Sequence, residues 1–157
     1  MTTSRLPALI DALVSRATTA LNALPVLVID GYGVDDNPGD FLMIGIEEPS
    51  IAAAGFAGSS DQVYGPSSTA RPRDENGAVW CAAYSWNGDG IQKTARDAAY
   101  SYMAAVETLL RADPNLGIAS GGNFVAQMGD TQRLTQNQDS NGADALLIFN
   151  VSFFARI

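Results

Sequence analysis

The chain has no histidine among its 157 residues and a single cysteine, Cys81. Without histidine it lacks the commonest general base and the commonest zinc ligand, so neither a Ser-His-Asp nor a Cys-His constellation can be built. One cysteine excludes an intramolecular disulfide and leaves no cysteine cluster to hold zinc or iron and sulfur. Basic residues are few: nine Lys and Arg stand against seventeen Asp and Glu, a formal charge of -8. That balance argues against a nucleic-acid grip built on phosphate neutralisation and against attraction to anionic lipid, although DNA could still slide past such a surface. No apolar run approaches the ~20 residues of a membrane helix. The start, Met1 to Arg5, lacks the charged and then apolar order of a signal peptide, so a soluble protein without a cleaved export signal is expected.

What is present is enough apolar material, 46% of the chain, to bury one core, and one domain over 1–157 is expected. The clearest stretch is Ala78 to Gly117, which reads as strand, turn, helix and stop. In Ala78–Trp86, Val79, Cys81 and Ala83 share one face, and Trp80, Ala82, Tyr84 and Trp86 share the other. Apolar residues on both faces predict a central strand covered on both sides. Asn87-Gly88-Asp89-Gly90 breaks it, and Asp89 is placed to cap the helix that comes next. That helix runs to about Ala112, its stripe formed by Ile91, Ala95, Ala98, Ala99, Tyr102, Val106, Leu109 and Leu110. Arg111 suits the dipole of its last turn, and Asp113-Pro114 stops it.

Before this unit, Ser4 to Ala23 predicts a helix with Ser4 as cap, Pro7 in the first turn and a stripe from Leu6 to Leu24. Val26–Ile29 reads as a short buried strand that ends at Gly31 and Gly33, and Phe41–Ile46 as a second strand stopped by Glu47-Glu48-Pro49. Ser50 to Gly77 has no clean period and predicts a long loop, a kind that is usually functional or disordered. Within it, Arg71 and Arg73 flank Pro72, a basic pair that could meet carboxylates on a partner or simply be solvated. After the second helix, Phe124, Ala126 and Met128 begin a strand that turns polar from Gly129. A reversal near Asn137–Gly142 leads into a final apolar strand to Ile157. The arms of this hairpin exceed the usual ~5 to 6 residues. Their apolar inner and polar outer ends predict a tip that projects beyond the sheet. The element order gives an α+β fold: a mixed, mainly antiparallel sheet, two helices packed on it and a long C-terminal β-hairpin.

Three apparent motifs fail. Gly88-Asp-Gly90-Ile-Gln92-Lys93-Thr94 comes after a strand and opens a helix, but Gln92 stands where a phosphate-binding loop needs glycine. Asp35-Asp36-Asn37-Pro38-Gly39-Asp40 lacks the alternating ligands and terminal glutamate of a calcium loop, and reads as a solvated turn. Asn150-Val151-Ser152 matches a glycosylation acceptor inside a core strand and is discarded. Mid-strand Cys81 reads as an inert buried thiol. No cofactor or metal is expected.

Order and spacing of several short segments carry more than any one of them. Val28-Ile29-Asp30-Gly31, Trp80-Cys81-Ala82-Ala83-Tyr84-Ser85-Trp86-Asn87-Gly88-Asp89, Leu110-Arg111-Ala112-Asp113-Pro114-Asn115-Leu116-Gly117, Leu134–Gln138, Gly142-Ala143, Phe149-Asn150-Val151 and Ala155-Arg156-Ile157 together resemble the tail terminator proteins of long-tailed phages, also termed head-to-tail joining or minor tail proteins, of the actinobacterial-phage type. The likeness spans nearly the whole chain; it departs at Trp80 and Trp86, and at Asn87, where a small polar residue is frequent. It implies a structural virion protein, not an enzyme, which caps the tail tube as a ring, commonly hexameric. Such a ring stops tube elongation and forms the head-tail joining surface. The implied partners are further copies of itself, the tail tube protein and a head-completion or neck protein, with DNA passing through the lumen without specific binding and no membrane involved. Assembly would take place in the host cytoplasm, and the final location would be the head-proximal end of the tail. Subunit or tube contacts are then expected in the Ser50–Gly77 loop and the hairpin tip, at Arg71, Arg73, Asp130, Gln132, Arg133, Gln136 and Asp139. A neck-completion or tail-tube subunit is the alternative within that class, and a small cytosolic ligand-binding or enzyme domain the alternative outside it.

Overall fold

A computed structural model describes residues 3–32, 39–46, 57–65, 73–118 and 123–157. Helix α1 spans Leu6–Ala20 and is followed by strands β1 (Val26–Asp30), β2 (Asp40–Ile44), β3 (Gly58–Tyr64) and β4 (Arg73–Asn87). Helix α2 (Gln92–Ala112) precedes the two strands β5 (Phe124–Asp139) and β6 (Gly142–Arg156). The sheet runs β1-β2-β4-β6-β5, with β3 also paired to β4. Only β1 and β2 are parallel; every other pair is antiparallel. The fold is therefore α+β with a mixed, mostly antiparallel sheet and a C-terminal hairpin, as the element order predicts.

β4 is central because its alternation suits a strand with neighbours on both sides. Val79, Cys81 and Ala83 point into the main core, where they meet Leu9, Leu13 and Ala17 of α1 and Ala95, Ala99, Tyr102 and Val106 of α2. Small residues on the strand let both helices approach closely. Met103 joins this stripe, whereas Ile91 stays exposed ahead of the helix. On the opposite face Trp80, Ala82 and Ile46 form a second, smaller cluster with Met43, Leu146 and Ile148 against it. Both helices lie on the first face, so among the described residues the second face has no layer over it, contrary to the expectation of cover on both sides.

Four further expectations are corrected. The predicted Ser50–Gly77 loop contains β3 and the first rungs of β4, paired from Gly58↔Val79 to Tyr64↔Arg73. Gly77 permits that pairing, since a Cβ there would lie 2.4 Å from the Ser59 carbonyl oxygen and 2.6 Å from the Phe153 ring. β1 is an edge strand, not a buried one, and Leu27 is half exposed. The hairpin does not project: β6 pairs with β4 over its whole length, from Asp74↔Arg156 to Asn87↔Ala143, so its tip is level with the end of β4. Gln138 Nε2 donates to the Gly90 carbonyl there, 2.6 Å away. Finally, Asp89 accepts from the Ile91 amide at 2.8 Å, one residue before the helix, so it holds the turn and not the first helical turn.

Two polar nodes, centred on buried Glu75 and half-buried Asp40, fix the helices to the sheet. Glu75, fully buried on β4, accepts from Ser4 Oγ and, at 2.8 Å, from the Arg5 amide at the start of α1. Asp40, read from sequence as part of a solvated turn, accepts from Ser85 Oγ at 2.9 Å, the Trp86 amide at 3.0 Å and the Tyr102 hydroxyl of α2. Burial, reinforced by the Asp40 carboxylate, raises the Tyr102 hydroxyl above its ordinary pKa.

Candidate assembly surface

The expected contact residues do not form one cluster. Arg71 lies outside the described residues. Arg73 begins β4 beside β3, where Nη1 donates to Gln62 Oε1 at 3.0 Å and the guanidinium lies 5.7 Å from the centre of the Tyr64 ring. The others sit on β5, at the far side of the sheet with β6 between them and β4. The hairpin residues thus occupy one edge, and Arg73 belongs to the other.

β5 is interrupted by a bulge that divides it chemically. Met128 pairs with Val151 and Gln132 with Phe149, so Gly129, Asp130 and Thr131 together face the single residue Asn150. Asn150 is buried, and its Oδ1 accepts from the Thr131 amide at 3.2 Å. Its side chain occupies the space beside Gly129, where a Cβ would lie only 2.1 Å from that oxygen. A bulge of this kind bends the strand and re-aims the residues beyond it. Asp130 and Arg133 are exposed on the bent half, as is Gln132, while Gln136 is half-buried. Asp139 is committed locally: its carboxylate accepts from the Asn141 amide at 2.7 Å and the Gly142 amide at 3.2 Å, closing the Ser140-Asn141 turn.

The halves of β5 also differ at their outer edge. Before the bulge, the Ala126 amide donates to the Pro114 carbonyl at 2.8 Å, so the turn after α2 covers that part. A groove of about 380 Å³ lies there, between Leu110, Arg111 and Pro114 on one side and Val125–Met128 on the other. Beyond the bulge, among the described residues, no backbone group bonds to the outer edge. The same holds for the outer edge of β1. Unpaired edges are templates for another strand unless they are blunted. Each of these two edges carries one exposed large hydrophobic side chain, Leu27 on β1 and Leu134 on the outer half of β5, and Val63, Tyr64 and Val125 are exposed on β3 and on the inner half of β5. Sequence inspection missed Leu27, Val63 and Tyr64 because their segments were read as a buried strand and a loop, and Gly58–Tyr64 carries no apolar alternation that would have marked it as a strand.

Charges elsewhere are used within the chain. Arg156 meets Asp74 through two hydrogen bonds of 2.7 and 3.0 Å, which hold the Asp74 carboxyl below its ordinary value. Arg16 reaches Asp113 at 3.2 Å, and the i,i+4 pairs Lys93–Asp97 and Glu107–Arg111 lie along α2. Lys93 is thereby accounted for without any phosphate loop. Cys81 is buried in the core, its thiol pushed up to about 12 chiefly by burial, so it is no nucleophile in the folded state. Among the described residues, no group of three or more Cys, Asp or Glu is placed to hold a metal ion, and no helix is long and apolar enough to cross a membrane. No known protein-family model matches the chain, and no curated protein matches it.

Proposed function

We propose that the chain is a structural protein whose work is assembly with copies of itself, and not an enzyme. The observation that carries this reading is the pair of open edges on opposite sides of one sheet, each with an exposed leucine, Leu27 and Leu134. Two different surfaces that meet head to tail generate a closed ring when the rotation closes, whereas one self-complementary patch gives only a dimer. Arg73 beside one edge and Asp130, Gln132, Arg133 and Gln136 on the other are then contacts to neighbouring copies or to the surface the ring sits on.

Within that class, the likeness of the ordered segments to tail terminators points to the particular role. The ring caps the tail tube of a long-tailed phage, stops its growth and presents the head-joining surface, with DNA passing through the lumen. The net charge of -8 supports passage, since an acidic lumen repels the phosphate backbone instead of gripping it. The test is to polymerise the cognate tube subunit with and without this protein and to measure tube length and ends by negative-stain microscopy. Shorter tubes with a cap at one end are expected. Uniform incorporation along the tube would move the chain to the tube-subunit class, and binding confined to the portal side would make it a neck-completion protein.

A further inference from the structure

β1 and the outer half of β5 sit at opposite edges of the same five-strand path, and the pairing registers put them on the same rungs. Leu27 is level with Thr135 through Phe41, Tyr84 and Leu146; Val28 is level with Leu134 through Leu42, Ala83 and Leu147. Ile29 is level with Arg133 by the same route through Met43, Ala82 and Ile148. Their senses also agree. β1 runs with β2 and therefore against β4, while β5 runs against β6 and therefore with β4, so β1 and β5 point in opposite directions. A second copy turned about an axis along the strands brings its β1 alongside β5 as an antiparallel neighbour, without sliding either strand.

We infer that β1 of one copy adds to β5 of the next over Gln132–Gln136, with Leu27 opposite Thr135, and that this strand addition is the subunit contact. The inference rests on the ring reading and names its interface. Main-chain hydrogen bonds supply the attraction at such an edge and side chains set the register. Leu27, 50% exposed, and Leu134, 37% exposed, lose water on the two faces of the joint. Val28 stands opposite Leu134, an apolar cross-strand pair. Arg133 comes level with Ile29 on one face, and Asp30, an exposed carboxylate, comes level with Gln132 on the other. The occupant is thus a second copy of this chain and not an unrelated peptide, because both edges, of opposite sense, on matching rungs and each with an exposed leucine, belong to one molecule. The bulge at Gly129–Thr131 separates this open half from the half already covered by Pro114.

The test uses Leu27→Cys with Thr135→Cys in the full chain. Both side chains are exposed, and Cys81 is too deeply buried to compete. Mild oxidation followed by non-reducing electrophoresis should give a ladder of covalent multimers that ends at the ring size and collapses on reduction, while either single variant gives dimers at most. Gln132→Glu, which sets a second carboxylate opposite Asp30, should shift the assembly toward monomer in native mass, and Asp30→Arg in the same chain should restore it. Rings that form without a ladder from this pair would overturn the interface and leave the tail-terminator reading standing. A ladder from a protein that fails to cap tubes would uphold the interface and overturn that reading. A well-folded chain that stays monomeric at every concentration, with no ladder, would overturn the interface.

Discussion

Replacing Glu75 by glutamine tests how α1 is tied to the sheet. The carboxylate is fully buried and accepts from Ser4 Oγ, from the Arg5 amide at 2.8 Å and from the side chains of Gln62 and Ser60. Burial alone would raise its pKa, but these donors more than offset it and the value is lowered. Glutamine keeps the volume while exchanging one acceptor oxygen for a donor amide that then faces donors. Hydrogen bonds to a charged group are worth ~1.5–3 kcal/mol, and one mismatched buried donor costs a similar amount. Glu75→Gln should therefore destabilise the fold by about 2–3 kcal/mol at pH 7, a fall of roughly 4–12 °C in Tm for a chain of this length. The pH dependence carries the sign. A depressed folded-state pKa contributes stability that is complete above the unfolded value, near 4.3, and is lost as pH falls through the folded value. The gap between native protein and variant in urea denaturation should thus be widest at neutral pH and close on acidification below about pH 4. A variant within ~0.5 kcal/mol of the native protein at pH 7, the scatter of ordinary surface changes, or a gap that does not change with pH, would refute the role assigned to Glu75.

Packing sets two further outcomes. Gly129→Ala places a Cβ against the Asn150 side chain and should cost about 1–3 kcal/mol by overpacking; Asn150→Ala in the same chain should make the two changes clearly non-additive, as a denaturation cycle would show. Cys81 should react with a maleimide or disulfide reagent only as fast as the protein unfolds, and rapid labelling of the native state would contradict its placement in the core.

The parts of the fold that were legible from sequence are those where burial imposes a period. Val79, Cys81 and Ala83 against Trp80 and Ala82 identify β4 and its two faces, and the spacing of Ala95, Ala99, Tyr102 and Val106 identifies the buried side of α2. β3 was not legible because Gly58–Tyr64 is polar on both faces: its partner on the helix side is Glu75, whose burial depends on Ser4 and Arg5, far away in sequence. β1 misled in the opposite direction. A continuous run such as Val26–Ile29 reads as buried, yet only Val26 and Val28 pack on the core while Leu27 faces out at an edge. The supposed projection of the hairpin came from averaging its arms. β5 turns polar after Gly129, but β6 stays apolar from Ala145 to Phe149, and that asymmetry is the mark of one edge strand and one interior strand. The candidate contact residues divided for the same reason: an edge is a property of the sheet order, which a linear pattern does not encode. Arg73, named as a basic neighbour of Pro72, and Asp139, named as part of the hairpin tip, have local tasks as well, one over Tyr64 and one in the turn.

The claim that this chain builds a head-to-tail ring is tested most directly by native mass measurement joined to class-averaged microscopy of the purified protein, alone and with its tail tube. The account predicts a closed particle with a central hole, its mass a whole multiple of the 16.5 kDa chain and, by the resemblance to tail terminators, six copies. A particle of one copy in both samples, whatever the protein concentration, would contradict it.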